Sequence, residues 1–238
     1  MIAAEEFARA YRSFWSSATP FSEPYVRDLN EHLAAGPTWE MVTRPDRRAL
    51  IAETAFELFR RLVVEDEDPF RPLTPLERAE AFLAAQLHVG GLAGVRGGDL
   101  SEPDAAEWSD AETLAYGIVD LLGLAVPAGA VTVSPVFPGC GIVDAAEGDV
   151  LVGRTLYEIK SVDRPFRSAD IHQLLVYAAL QRAAGAAPQI VRLGLVNPRS
   201  MVAVAMDADD VSLAVAGRAL ADLLETIIDA MAATEVSR

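Results

Sequence analysis

Asp149, Glu158 and Lys160 are the residues of this chain whose types and spacing could do chemistry together. Lys160 is the single lysine among 20 basic residues, the other 19 being arginine. A guanidinium serves wherever a generic surface cation is needed. An ammonium is a compact point charge whose pKa can be moved and which can sit beside a nucleophilic water. Two carboxylates near it could hold a hard divalent cation such as Mg²⁺, which takes few protein ligands and keeps several waters. Hydrolysis by a metal-activated water is the chemistry such a trio would support.

The local sequence can bring these groups together. Val152-Gly153-Arg154-Thr155 reads as a two-residue hairpin, with Gly153 supplying the positive φ of a type II′ turn. The register then sets Val152 against Thr155, Leu151 against Leu156, Val150 against Tyr157, Asp149 against Glu158 and Glu147 against Lys160. Directly opposed residues have Cβ atoms about 5 Å apart, and Lys160, two beyond Glu158, shares its face. Opposed like charges destabilise a sheet, and a divalent cation between them would remove that cost. The next helix offers Gln173 and Tyr177, four residues apart and on one face. Such a pair is common on an amphipathic helix, here with Ile171, Leu174, Leu175 and Ala178 as its apolar side. His172 lies about 100° round from Gln173 and reads as a packing or surface histidine. Arg164 and Arg167 follow the motif strand and are candidates to hold phosphate.

Several elements must position these residues. Apolar residues at three- and four-residue spacing predict helices over Glu5–Ser16, Glu23–Ala35, Asp46–Val64, Pro75–Val89 and Asp104–Leu122. The acidic run Glu65-Asp66-Glu67-Asp68 reads as a solvated loop. The glycine-rich stretch Gly90–Pro103 marks the expected internal boundary. From Ala130 the period changes to short strands, Val131–Phe137, Asp149–Val152 and Thr155–Val162. A helix over Ala169–Ala184 follows, with Ser168 as its N-cap and Gly185 at its C′ position. Ile190–Val196 and Met201–Met206 form a hairpin around Asn197-Pro198-Arg199-Ser200, and Val211–Ala233 is a closing helix.

Composition limits the function classes. The net charge is −15 and argues against a general nucleic-acid coating protein. Residues 1–130 carry 11 arginines against 22 acids, while 154–199 carry seven basic groups against Glu158, Asp163 and Asp170. A local basic patch therefore surrounds the motif. No apolar run approaches a membrane span, and the amino terminus lacks the apolar stretch of a signal peptide. The expectation is a cytoplasmic protein without membrane partners. One cysteine, Cys140, excludes internal disulfides and any cysteine-built zinc or iron–sulfur centre.

Asp149, Glu158-x-Lys160 and Gln173-x-x-x-Tyr177 resemble the PD-(D/E)xK nuclease superfamily, in its RecB-like branch. The resemblance is carried by Ser134-Pro135-Val136-Phe137, Gly148–Val152, Leu156–Lys160 and Gln173–Tyr177, under half of the chain. It implies an α/β fold: a restriction-endonuclease-like core of order α-β-β-β-α-β-β with a mixed sheet over 104–238, ending in a C-terminal helix. Residues 1–103 would form an accessory helical lobe. It implies a Mg²⁺-dependent nuclease, Mn²⁺ substituting, that hydrolyses phosphodiester bonds in nucleic acid, DNA first, in genome defence against phage or in repair. Asp149, Glu158 and the Ile159 carbonyl would hold the metal. Lys160 would orient or deprotonate the water, Gln173 would anchor Lys160 or the nucleophile, and Tyr177 would bind the backbone phosphate. Relatives also add an acid or histidine from an upstream helix, for which Glu112 is the candidate, with Asp120 and His88 behind it. The chain departs from the pattern at Gly148, where proline is frequent, and its lone cysteine removes it from the iron–sulfur subgroup. The alternative is a non-catalytic or partner-dependent subunit that uses the fold as a docking scaffold. The acidic lobe would suit a protein partner or a second copy of the chain.

Overall fold

Tyr11 interrupts what the apolar spacing presents as one helix over Glu5–Ser16. Its backbone (φ −84°, ψ 57°) leaves the helical region, and the chain runs as α1 (Ala4–Ala10) and α2 (Arg12–Ala18). The computed structural model describes residues 1–33, 39–64, 68–91, 99–124, 131–186 and 189–233. Helices α3 (Ser22–His32), α4 (Arg48–Val64), α5 (Pro75–Gly91) and α6 (Ala105–Leu121) follow within a residue or three of the predicted spans. Asp104 caps α6 by accepting from the Ala106 and Glu107 N–H groups, and Glu107 completes the capping box. Glu107 also pairs with Arg47, whose side chain is 2% exposed, at 2.7 Å. Of the acidic run, residues 65–67 lie outside the described residues, as do 92–98 of the Gly90–Pro103 boundary.

The expected strand Val131–Phe137 is broken at Ser134, which takes a positive φ of 51° before Pro135. It yields β1 (Val131–Val133) and β2 (Val136–Phe137). β3 (Ala146–Glu147), β4 (Val150–Val152), β5 (Thr155–Ile159), α7 (Ser168–Ala183), β6 (Arg192–Asn197) and β7 (Val202–Asp207) follow. The chain continues as α8 (Ala208–Ala216) and α9 (Leu220–Ala232). The predicted single helix over Val211–Ala233 is thus two, because Gly217 at φ 66° closes α8 in the left-handed conformation. Ser168 begins α7 rather than capping it. Arg167 is the N-cap, and its backbone N–H donates to Asp170 Oδ2 at 2.8 Å.

The fold is α/β, with a mixed five-stranded sheet of order β1-β4-β5-β6-β7. Only β5 and β6 are parallel, with α7 as their crossover. The Gly153 hairpin has the register read from the sequence: Val150 against Tyr157, Leu151 against Leu156 and Val152 against Thr155. β2 and β3 form a separate ladder that pairs Val136 with Glu147. Glu147 is therefore drawn off the Gly153 hairpin and does not oppose Lys160.

Alternation along β5 divides the core. Tyr157 and Ile159 pack with Val150 against Ile51, Leu58 and Phe59 of α4 and Leu114 and Ile118 of α6. Leu156 faces the other way, with Leu193 and Leu195 of β6, onto α7, α9 and Phe7, Tyr11 and Trp15 of α1–α2. Each apolar cluster draws on both sides of position 103. Gly194 has no room for a side chain, since a Cβ there would lie 2.2 Å from the Tyr157 ring. Among the described residues no helix is long and apolar enough to cross a membrane.

Candidate functional site

Leu156 and Glu158 point to the α7 side of β5, because side chains two apart on a strand share a face. Leu156 enters the core, and Glu158, one step nearer the strand end, is 4% exposed at the floor of a cleft of about 620 Å³. Asp149 lies beside it, one residue before β4. Its Oδ2 accepts from the Ile159 N–H at 2.6 Å, which closes the end of the hairpin ladder. Proline, frequent in the family pattern, cannot stand directly before it. The Gly148 N–H donates to the Pro135 carbonyl at 2.9 Å, a bond that proline could not make.

The five motif side chains converge on this cleft. The Lys160 backbone is fixed by its N–H on the Val196 carbonyl at 2.7 Å. Lys160 Nζ donates to Glu158 Oε1 at 2.7 Å and to Gln173 Oε1 at 3.0 Å. Gln173 Nε2 donates to Tyr177 Oη at 2.8 Å, and Tyr177 O–H donates to Glu5 Oε1 at 3.2 Å. A continuous polar chain thus runs from Glu158 to α1. The helix that carries Gln173 and Tyr177 is not the one-sided amphipathic helix of the sequence reading. Of its 16 residues, 13 are buried, and the two polar side chains reach the cleft from within the core.

The electrostatics of this floor are strained. Burial raises the Asp149 carboxyl above its ordinary pKa, against the Ile159 N–H and Lys160, which lower it. Burial, then the neighbouring Asp149 charge, raises Glu158 well above the usual carboxylate range, more than Lys160 offsets. Burial alone would lower Lys160, but Glu158, Asp170 and Asp149 together raise it and keep it an ammonium. Burial and the charges of Glu158 and Glu5 push the Tyr177 hydroxyl up, so it stays a donor. Glu158 Oε2 is buried and has no hydrogen-bond partner. Two species can satisfy it: a proton shared with Asp149, which lies within hydrogen-bonding reach, or a cation held by both carboxylates.

That unsatisfied oxygen beside a second carboxylate fits a divalent cation, with Asp149, Glu158 and the Ile159 carbonyl as the groups that would hold it. Among the described residues no three His, Cys, Asp or Glu side chains form a metal-binding group. A two-carboxylate site would need the carbonyl and water as its further ligands, which Mg²⁺ tolerates.

The structure separates other expected residues from the cleft. Glu112 faces away, pairing with Arg78 at 2.6 Å beside a different hollow lined by Phe70, Pro72 and Tyr116. Asp120 does not line the cleft, whereas His88 does, 4.0 Å from Glu53. Arg164 is committed to the buried Asp170 carboxylate through two bonds of 2.8 and 3.0 Å, and so is not free for a phosphate there. Arg167 lines a separate hollow at the start of α7. His172 is a packing residue: it stacks on Trp15 at 4.1 Å and bonds Thr19 at 3.0 Å.

Sequence reasoning missed the opposite wall. Arg48, Ala52, Phe56 and Arg60 follow one another at four-residue intervals on α4, and this stripe faces the cleft. Glu53 and Glu57 accompany it, and Arg199 and Glu5 complete the lining. Burial raises the Glu53 carboxyl, with Glu57 and Asp149 adding to the effect and His88 opposing it. The four-residue stripe was the legible signal, whereas nothing local marks Glu5. No family model matches the chain, and neither a curated protein nor a solved structure matches it.

Proposed function

We propose that the chain is a metal-dependent nuclease of the PD-(D/E)xK type, hydrolysing phosphodiester bonds in nucleic acid, with DNA the first substrate to test. The observation that carries this reading is the unsatisfied Glu158 Oε2, buried beside Asp149 and within one polar network with Lys160, Gln173 and Tyr177. With the separate β2–β3 ladder set aside, the order α6, β1, β4, β5, α7, β6, β7 supports a restriction-endonuclease-like core of the form α-β-β-β-α-β-β. A scaffold would gain nothing from two carboxylates forced together in a buried floor.

A Mg²⁺ or Mn²⁺ ion bound there would polarise the scissile phosphate and lower the pKa of its water. The chain's own residues do the rest. Lys160 acts as a cation rather than a base: its ammonium orients the attacking water and offsets charge that builds on the phosphoryl oxygens. Gln173 fixes Lys160 through Oε1 and Tyr177 through Nε2, so the two donors keep one geometry. Arg48, Arg60 and Arg199 line the cleft, where Arg164 and Arg167 do not. Arg60 pairs with Glu57 at 3.2 Å and the buried Arg199 with Asp163 at 3.5 Å, so Arg48 is the cleft arginine best placed to meet the scissile phosphate.

The experiment is a cleavage assay with Mg²⁺ or Mn²⁺ on linear, nicked, circular and single-stranded substrates. Cleavage that stops on chelation and in the Lys160→Ala protein is expected. Undiminished cleavage by the folded Lys160→Ala protein would exclude this mechanism. Absence of any cleavage, together with calorimetry that detects no Asp149-dependent Mn²⁺ binding, would favour the docking-scaffold reading.

A further inference from the structure

Three arginines stand together outside the cleft. Arg9 of α1, Arg12 of α2 and Arg167 at the α7 N-cap line one hollow of about 740 Å³. All three are exposed, and none has an ion pair with a carboxylate among the described residues. The one acid lining the hollow is Glu23, whose carboxylate accepts a hydrogen bond from Ser168 Oγ. Three guanidinium charges therefore face one carboxylate, in a chain whose net charge is −15 and whose other arginines largely pair with acids. Mutual repulsion among like charges is relieved by an anion, and the exposed hydroxyl of Ser16 at the same hollow is suited to a phosphate oxygen.

The hollow and the cleft lie along the same two helices, α1 and α7. Glu5 lines the cleft and Arg9, four residues on along α1, lines the hollow, a rise of about 6 Å. On α7 the same step separates Ala169 at the hollow from Gln173 at the cleft, with Tyr177 one step further. The two helices pack together in one apolar cluster, so a single seam leads from the carboxylate pair to the arginines.

We propose that Arg9, Arg12 and Arg167 form a second phosphate site, which grips the backbone of a nucleic-acid strand a nucleotide or two from the phosphate held in the cleft. The inference rests on the nuclease reading for the identity of its ligand. It supplies what the acidic cleft lacks, phosphate contacts that carry no chemistry and set affinity and salt dependence.

The test uses the full chain in EDTA, titrated with a single-stranded oligonucleotide at several salt concentrations. Its comparison is the Arg9→Gln/Arg12→Gln/Arg167→Gln protein, which keeps the side-chain stems. Three lost contacts at about 0.7 counterions each should reduce the slope of log K against log salt by about 2. Affinity should fall at least tenfold at low salt, with Tm and the calorimetric Mn²⁺ titration unchanged. An unchanged slope would overturn the proposal. So would failure of the unaltered chain to bind the strand, or arginine-dependent binding of inorganic phosphate or a poly-glutamate peptide but not of the strand. A slope that falls in a protein that never cleaves would keep this site and remove the hydrolytic reading. Cleavage with an unchanged slope would do the reverse.

Discussion

Asp149→Asn should stabilise the metal-free protein while abolishing its response to metal. Asparagine keeps the shape of Asp149 and an oxygen to accept from the Ile159 N–H, and its amide N–H₂ can donate to Glu158 where two carboxylates now meet. Two unit charges 4 Å apart repel by about 4 kcal/mol at an effective dielectric of 20. Lys160, 2.7 Å from Glu158, offsets part of this, and the upward shift of both carboxyl pKa values relieves more. The remaining gain is about 1–2 kcal/mol. For a chain of 238 residues that is a rise in Tm of roughly 2–8 °C. The sign follows from linkage: both carboxyl pKa values are raised by folding, so the stability of the parent falls as pH rises through them. The advantage of the Asp149→Asn protein should therefore be largest near pH 8 and shrink as the medium becomes acidic. Thermal denaturation in EDTA and in Mn²⁺ checks this, since an ion that binds only the folded state raises Tm by mass action. A lower Tm for the variant in EDTA would refute the reasoning, as would equal Mn²⁺ stabilisation of variant and parent.

Three further outcomes are expected. Burial lowers the His172 pKa from 6.5 to about 4, so its contribution is fully present above pH 6.5 and is lost as pH falls towards 4. The loss is about 2 kcal/mol at pH 5; a His172 ring that titrates near 6.5 by NMR would mean that the stacked Trp15 face stabilises the cation instead. Glu112→Ala should leave calorimetric Mn²⁺ affinity unchanged and cost at most about 0.5 kcal/mol through the lost Arg78 pair, whereas Glu53→Gln should weaken Mn²⁺ binding. A chain starting at Asp104 strips Phe7, Tyr11 and Trp15 from the core cluster around α7 and should aggregate on sedimentation; a folded monomer would count against a core shared across that boundary.

The parts of the site that were legible were those fixed by local geometry. Gly153 and the two strands around it determine the hairpin register, and register alone brings Asp149 beside Glu158 and aims Lys160 along the same face. The four-residue step from Gln173 to Tyr177 is equally local. The misplacements share a cause. Glu112 and Glu53 are both acids on helices before the sheet, and which helix face meets the strand ends depends on how α4 and α6 cross the sheet. Arg164 follows the motif as a phosphate ligand would, but the buried Asp170 claims it, and a side chain's choice between carboxylate and solvent is a tertiary matter. The helix breaks at Tyr11 and Gly217 leave the apolar pattern intact, so periodicity carries through them.

The hydrogen bond from Tyr177 to Glu5 joins residues 172 positions apart. At synthesis rates of roughly 5–20 residues per second, α7 leaves the ribosome roughly 10–30 s after α1. Throughout that interval Phe7, Tyr11 and Trp15 have no α7 to cover them, and the nascent chain exposes aromatic surface that invites chaperones or misassembly. Closing so long a loop also places the joining of α1 to α7 among the slow, non-local steps of folding. The polar chain from Glu158 to Glu5 is therefore completed late, and a ribosome-bound fragment lacks the assembled cleft until most of its sequence has been made.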